Sequence, residues 1–340
     1  VRQSIVDVVN QIRNSMKGKK DMYIDTITFD VFGFSRGAAA ARHFVHVVKY
    51  PSYRAKTGWL VNFQHATYTT YDMQGTPLPS SYEGKAMPEF GVLGQLLQDA
   101  GLLAPQTKVN VRFVGVYDTV PHHGMSQSDD FEVLGLDDVN KADYVVHIVA
   151  ADEYRAYFDL VDISSVAETH PDSKNKGGME LIYPGVHCDV GGAYVEGDGN
   201  HPRRINVAPK WEPLKAEKRA FVQQGWFREE EMSIIPYITG SIIPPPFSNF
   251  LRLEGEKTKV SNQYSYIPLH LMAQFCEKRK VPIKESEILT GYDFKDNKEE
   301  LGIVGTVDFL NTIKKRLEAY SFEGGPALVY HEEKLKPEID

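Results

Sequence analysis

Residues 23–50 read YIDTITFDVFGFSRGAAAARHFVHVVKY and pass through three kinds of segment. Tyr23 to Val31 alternates, with Ile24, Thr26, Thr28 and Asp30 on one side and Asp25, Ile27, Phe29 and Val31 on the other; its β-branched and aromatic residues predict a strand. Ala38 to Tyr50 predicts a helix, because the alanines favour it and Phe44, Val45, Val47 and Val48 give it an apolar side. Between the two lies Gly33-Phe34-Ser35-Arg36-Gly37, which fits G-x-S-x-G, a serine carried on a sharp turn from strand to helix. Such a turn forces an unusual backbone angle and brings strand and helix together, so small residues, Gly33 and Gly37, are expected at both flanks. It lifts the Ser35 hydroxyl clear of the sheet and lets the N–H of Arg36, at the helix N-terminus, face a developing oxyanion.

Outward from this turn, Ile5, Val8, Val9 and Ile12 recur at helical spacing, and Gly18 closes that opening helix. Asn110 to Tyr117 predicts a second strand, ending at Asp118-Thr119-Val120-Pro121. Tyr144 to Phe158 predicts a helix, and Met179 to Tyr183 a third strand ending at Pro184-Gly185-Val186-His187. Strands alternating with helices imply an α/β fold, a mostly parallel sheet with helices on both faces. From about Ala193 to Val260 the alternation weakens at Pro202, Pro209, Pro213, Pro236 and Pro244 to Pro246, and residues 193–260 are expected to form an irregular insertion or lid. Helical patterns return at Tyr266 to Lys280 and Val307 to Tyr320; Tyr53 to Ala104 shows no clear pattern. The whole chain, 1–340, reads as one α/β-hydrolase-like domain that is incomplete at its N-terminus, since Val1 is not a start methionine and opens directly into a helix.

A serine nucleophile needs a base, and the base needs an orienting carboxylate. Asp118 and His187 follow the second and third strands, giving the order Ser, Asp, His found in α/β-hydrolases, at the strand ends where open α/β sheets hold their sites. The competing structural roles are a turn-forming aspartate bonded to the backbone of Thr119 or Val120, and a satisfied core histidine beside glycines. Asp189, in Asp189-Val190-Gly191-Gly192, loosely resembles the D-G-G of patatin-type lipases and their Ser-Asp dyad, but no glycine-rich oxyanion loop precedes the serine. Asp189 is therefore read as support for the His187 loop, with Thr119 as a second support residue. His122 and His123 read as a solvated loop, and Gly197 to His201 as a turn; without HExxH or an EF-hand pattern, no metal and no cofactor are expected. The apolar stretch Ile234 to Leu253 reads equally as an acyl-chain groove or lid and as a buried irregular segment.

The chain carries 46 acidic and 38 basic residues, a net charge of −8, so no overall basic field exists to hold nucleic acid or an anionic bilayer. Lipid contact would have to be local and apolar. Cys188 and Cys276 are too few for a disulfide framework and read as inert thiols. No apolar run approaches a membrane span and no signal-peptide pattern opens the sequence, which implies synthesis in the cytoplasm.

Four segments together, GFSRGAAAAR (33–42), VRFVGVYDTV (111–120), HIVAADEYRAYF (147–158) and YPGVHCDVGGAY (183–194), resemble the class one lipase effectors of the bacterial type VI secretion system, and SYIPLHLM (265–272) is similar to a further family segment. The resemblance covers about Tyr23 to Tyr194. It implies a Ser-Asp-His triad, falling here on Ser35, Asp118 and His187, and hydrolysis of acyl esters of membrane glycerophospholipids, a phospholipase A activity. It also implies delivery on a VgrG-type spike, action in the periplasm or at the membrane of a rival bacterium, and neutralisation by a cognate immunity protein. The family's early strand with a D-G-T type loop has no counterpart before this serine, so Arg36 N–H is the one oxyanion donor named. The alternatives are an esterase or thioesterase acting on soluble acyl substrates, and a non-catalytic module that docks a spike protein.

Overall fold

The first strand, β1, spans Thr26–Phe34: it begins after Tyr23 to Asp25 and continues through Gly33 and Phe34 to the serine. The computed structural model describes residues 1–19, 22–61, 66–121, 134–153, 160–197, 203–223, 227–237, 250–257, 260–301 and 305–328. β1 pairs in parallel with β2, Lys108–Tyr117, which pairs in parallel with β3, Tyr144–Ala150. β4, Gly177–Tyr183, completes a sheet of order β1-β2-β3-β4. Gly177 N–H donates to Asp143 O at the start of β3, and Glu180 reaches His147 further along, so β4 runs in the same direction. Parallel neighbours cannot be joined by a tight turn, and the crossovers leave helices on the sheet.

Among the described residues, and leaving aside single turns, the helices in chain order are α1, Arg2–Met16; α2, Arg36–Val48; α3, Gly91–Asp99; α4, His187–Gly191; α5, Trp211–Gln223; α6, Tyr266–Lys278; α7, Glu285–Gly291; and α8, Val307–Phe322. The helices anticipated near both chain ends and after the serine are all present. The chain forms two compact units, residues 1–182 with 269–290, and residues 183–268 with 291–340.

In the first unit, α2 lies on β1 and β2, with α3 against α2 and α1 against α3. Ala38, Ala41, Phe44, Val45 and Val48 of α2 join Ile27, Val109, Val111, Val114, Val116 and Val145 in one buried cluster. Val111 and Val114 can share a face because the register slips between Phe29 and Asp30, which pair with Val111 and Phe113 and leave Arg112 as the extra residue. That bulge turns Arg112 toward Asp30, whose carboxylate takes both Nε and Nη2 of the guanidinium. The opposite face is closed by α6, where a side chain at Gly115 would collide with Met272 and Phe32, and by Arg279, whose guanidinium lies 3.6 Å over the Tyr144 ring. Helices therefore cover both faces.

The sequence reading errs at Tyr144 to Phe158. Residues Tyr144–Ala150 form β3, not a helix, and 154–158 lie outside the described residues. YVVHIVA is the central run of a sheet covered on both sides, so it is continuously apolar and loses the period-two signal of a half-exposed strand. Residues 53–87, unread in the sequence, hold short antiparallel ribbons: 53–54 with 86–87, and 66–71 with 56–61 on one side and 77–78 on the other.

In the second unit, the expected irregular insertion contains a regular sheet and helix among its described residues. β5, Arg203–Ala208, β6, Met232–Tyr237, and β7, Phe250–Gly255, form an antiparallel sheet of order β5-β7-β6, with α5 packed on it through Leu214, Met232 and Leu253. The prolines punctuate it without breaking it: Pro213 sits in the first turn of α5 and Pro236 on the edge strand β6, both positions that tolerate a missing N–H. Ile234, Leu251 and Leu253 belong to this core, whereas Pro202, Pro244 to Pro246, Ile238, Ile242, Ile243 and Phe247 lie outside the described residues. Among the described residues no helix is long and apolar enough to cross a membrane.

Leu253 is fully buried and Trp211 is 48% exposed. Leu253→Ala is expected to lower unfolding free energy by about 2–5 kcal/mol. Trp211→Ala should stay within about 0.5 kcal/mol, both read by denaturant titration.

Candidate active site

Ser35 joins β1 to α2 with no intervening loop, at φ 58° and ψ −126°. A side chain in this region costs about 1–3 kcal/mol of strain, and it persists only where the surroundings impose it. Here they do: Ser35 N–H donates to Tyr117 O (3.0 Å), and Ser35 C=O accepts from Ala38 N (2.9 Å), Ala39 N (3.3 Å) and Val120 N (3.4 Å). A Cβ at Gly33 would stand 2.2 Å from Gly37 O, so strand and helix approach this closely only with glycine there. The expectation of small residues at both flanks holds on one side, because a Cβ at Gly37 would meet nothing within 4 Å. Arg36 is the first residue of α2, so its N–H is one of those that helix geometry leaves without an intrahelical acceptor.

Asp118 stands one residue beyond β2, as Ser35 stands one beyond β1, and the last paired residues of the two strands, Phe34 and Tyr117, are register partners. Four described non-glycine residues have positive φ, Ser35, Phe90, Asp118 and Lys280, and two of them are thus at neighbouring strand ends. Asp118 is 3% exposed, with φ 42°. Its N–H donates to Ile148 O (2.8 Å) and its Oδ1 accepts from Ala150 N (3.1 Å). The carboxylate is thus tied to the next strand, and the alternative of a local turn bond to Thr119 or Val120 does not describe that oxygen.

Thr119 is fully buried, and its N–H donates to His147 Nε2 (3.1 Å) with its Oγ1 3.2 Å from the same nitrogen. A backbone N–H can only donate, so Nε2 accepts and Nδ1 carries the proton, which it gives to Glu180 Oε2 at 2.9 Å. Burial holds the His147 ring below the usual pKa of 6.5, with Glu180 opposing that shift. Arg42, on α2, is fully buried as well; its Nη1 donates to Val161 O (2.8 Å) and its Nε to Leu136 O (3.2 Å). Desolvation lowers its pKa to about 10, against the fields of Asp137, Asp162 and Glu180, which leaves it charged at neutral pH.

His187 belongs to the second unit, where it is the first residue of α4 and 4% exposed. Asp189 folds back so that its Oδ2 accepts Val186 N–H (2.8 Å), and Tyr264 OH donates to Pro184 O (2.6 Å). Gly185, at φ 107°, has no room for a side chain beside Asp189, and Gly192, at φ 73°, ends the helix. Asp189 therefore braces the turn that bears His187. Cys276 is buried and its thiol is pushed up to about 12, which suits an inert thiol. His122, His123 and Asp198 to His201 lie outside the described residues.

Sequence reasoning overlooked Arg42, His147 and Glu180. Arg42 carried a signal, a cation four residues after Ala38 and three before Val45 on the apolar stripe of α2. His147 was hidden by the helix reading of its segment.

The sequence model of a family described as "T6SS, Phospholipase effector Tle1-like, catalytic domain" matches residues 16–212. Among solved structures, "Structure of the Tle1 effector bound to the VgrG spike from the Type 6 secretion system" is similar at a TM-score of 0.53 and 18% identity, over 98% of this chain and 62% of that one. The chain thus spans about 62% of the length of that effector. An uncharacterized protein from Pseudomonas aeruginosa aligns over 55% of this chain and 22% of its own, at 21% identity and a TM-score of 0.27, too low to bear on the fold. No protein of curated function matches.

Gly33→Ala should cost at least about 1–3 kcal/mol by wedging strand from helix. Gly37→Ala should change stability by no more than about 1 kcal/mol. The pH dependence of stability has a definite sign. Above the usual histidine pKa neither folded nor unfolded chain holds a proton at His147. As pH falls below 6.5 the unfolded chain takes one that the buried ring resists, and stability is lost down to the depressed folded value. Melting curves from about pH 7 to about pH 5 should therefore fall less steeply for His147→Gln than for the wild type.

Proposed function

The chain belongs to the Tle1-like catalytic-domain family of type VI phospholipase effectors, and from that premise we propose that it is the catalytic part of a serine phospholipase A of α/β-hydrolase type. The observation that carries this reading is the strained serine elbow beside a buried aspartate of positive φ on the neighbouring strand end. Non-glycine strain of this kind is retained where a side chain must be presented in one direction.

In the proposed reaction, Ser35 Oγ attacks the ester carbonyl of a glycerophospholipid while His187 takes its proton. Arg36 N–H, at the N-terminus of α2, stabilises the tetrahedral oxyanion. His187 then passes the proton to the departing lysophospholipid alcohol, and Asp118 orients the ring and offsets its charge. Water, activated by the same histidine, releases the fatty acid and restores Ser35. The net charge of −8 favours apolar contact with the acyl chains over attraction to an anionic surface. The similar Tle1 structure is described as bound to a VgrG spike, which supports spike-borne delivery; action at the target cell's membrane or periplasm and a cognate immunity protein in the producer belong to the same proposal.

Fatty-acid release from phosphatidylethanolamine and phosphatidylglycerol vesicles tests the proposal, with circular dichroism as the folding control. Ser35→Ala is expected to abolish release, and Asp118→Asn to reduce it by about 10³–10⁴-fold. Undiminished release by Ser35→Ala would remove Ser35 as nucleophile. Turnover of short-chain esters alone would indicate a soluble acyl substrate, and spike binding without any ester hydrolysis would indicate a docking module.

A further inference from the structure

The peptide that follows Asp118 is held by hydrogen bonds that close into a ring. Thr119 N–H reaches His147 Nε2 at 3.1 Å, and His147 Nδ1 reaches Glu180 Oε2 at 2.9 Å. The same carboxylate oxygen accepts Ile163 N–H at 3.0 Å, and two residues earlier Val161 N–H donates to Thr119 C=O at 3.0 Å. Both polar groups of Thr119's backbone are therefore fixed, one through β3 and β4 and the other through the 160–163 segment. Arg42 adds the nucleophile's own helix, through the 2.8 Å bond to Val161 O.

The ring bears on Asp118 because of that residue's conformation. At φ 42° its backbone lies outside the wells that a side chain prefers, so the carboxylate keeps its direction only while the peptides on both sides are held. The peptide before it is held by Ile148 O and the one after it by His147. A ring made only to satisfy a buried histidine would have no need to end on this particular N–H. Nor is His147 itself placed to act as a base: it is fully buried, with one nitrogen committed to Thr119 and the other to Glu180.

We propose that His147 and Glu180, linked through Arg42 to the nucleophile's helix, are positioning residues that set the direction of the Asp118 carboxylate. The inference rests on the reading of Asp118 as the triad acid. The charged groups facing His147 are Glu180 on β4, Asp118 after β2, Arg42 on α2 and Asp162 in the 160–163 segment. Glu180 is also a wall of a cavity of about 230 Å³ shared with Asp162, Ser164 and Glu168, so its outer side is not packed against apolar core. Its side chain is 31% exposed, and it can be truncated with less risk to folding than the histidine.

The experiment counts active sites with a fluorophosphonate that labels Ser35, then measures vesicle hydrolysis per labelled site, so a partly unfolded preparation does not register as slow. His147→Phe keeps the ring's bulk and removes both bonds; Glu180→Ala removes the carboxylate; His147→Gln can accept from Thr119 and donate to Glu180 through one amide. Misdirection of a catalytic group by about an ångström costs about a hundredfold, so kcat per labelled site is expected to fall about a hundredfold in His147→Phe and about tenfold in Glu180→Ala, with KM within about twofold. His147→Gln should recover to within about threefold of wild type. Unchanged kcat per labelled site in His147→Phe or Glu180→Ala, or a Gln variant as slow as the Phe variant, would overturn the proposal. An unlabelled wild type, or Asp118→Asn turning over at the wild-type rate, would instead remove the reading beneath it.

Discussion

One residue, Ser35, changes the chain from extended to helical backbone, and this is possible only because Gly33 lets the strand lie against the carbonyl of Gly37. The arrangement of the first unit's centre follows from that contact. It sets α2 directly on β1 and β2, so the alanines of the helix meet the valines of the strands and the face is closed by small and branched side chains. It also presents the serine at the end of the sheet with its backbone bonded on both sides, a strain that the adjoining strand end maintains.

The neighbouring strand end repeats the device in another form. Asp118 has a positive φ without a glycine's freedom, and its surroundings supply the restraint: Ile148 on one side, the His147–Glu180 pair on the other, and Ala150 on the carboxylate itself. A buried histidine, a carboxylate and a buried arginine are costly to desolvate, and each is retained with specific acceptors or donors around it. In the second unit the same economy appears on a smaller scale, where Asp189 and Tyr264 pin the short turn that carries His187.

The residues differ in how far they could be read ahead of the structure. The elbow was legible because its constraint is local: a strand pattern, five residues and an alanine-rich helix state the sterics in order along the chain. β3 was illegible because burial on both faces removes the alternation by which a strand is recognised, and with it went His147. The prolines between 202 and 246 suggested irregular chain, although Pro213 and Pro236 occupy a first helical turn and an edge strand, positions that composition does not distinguish from interruptions.

The sequence by itself determined the alternating α/β plan, the strained serine and the strand ends on which Asp118 and His187 fall, because periodicity and turn sterics act over a few neighbouring residues. Only the tertiary structure decided that Val111 and Val114 share a face, that Gly33 and not Gly37 makes the close approach, and that Thr119, His147, Glu180 and Val161 close a ring. The ring joins partners 28 and 33 residues apart, and Arg42 reaches Val161 across 119; a buried polar group's partner is chosen by the packing that brings the two together.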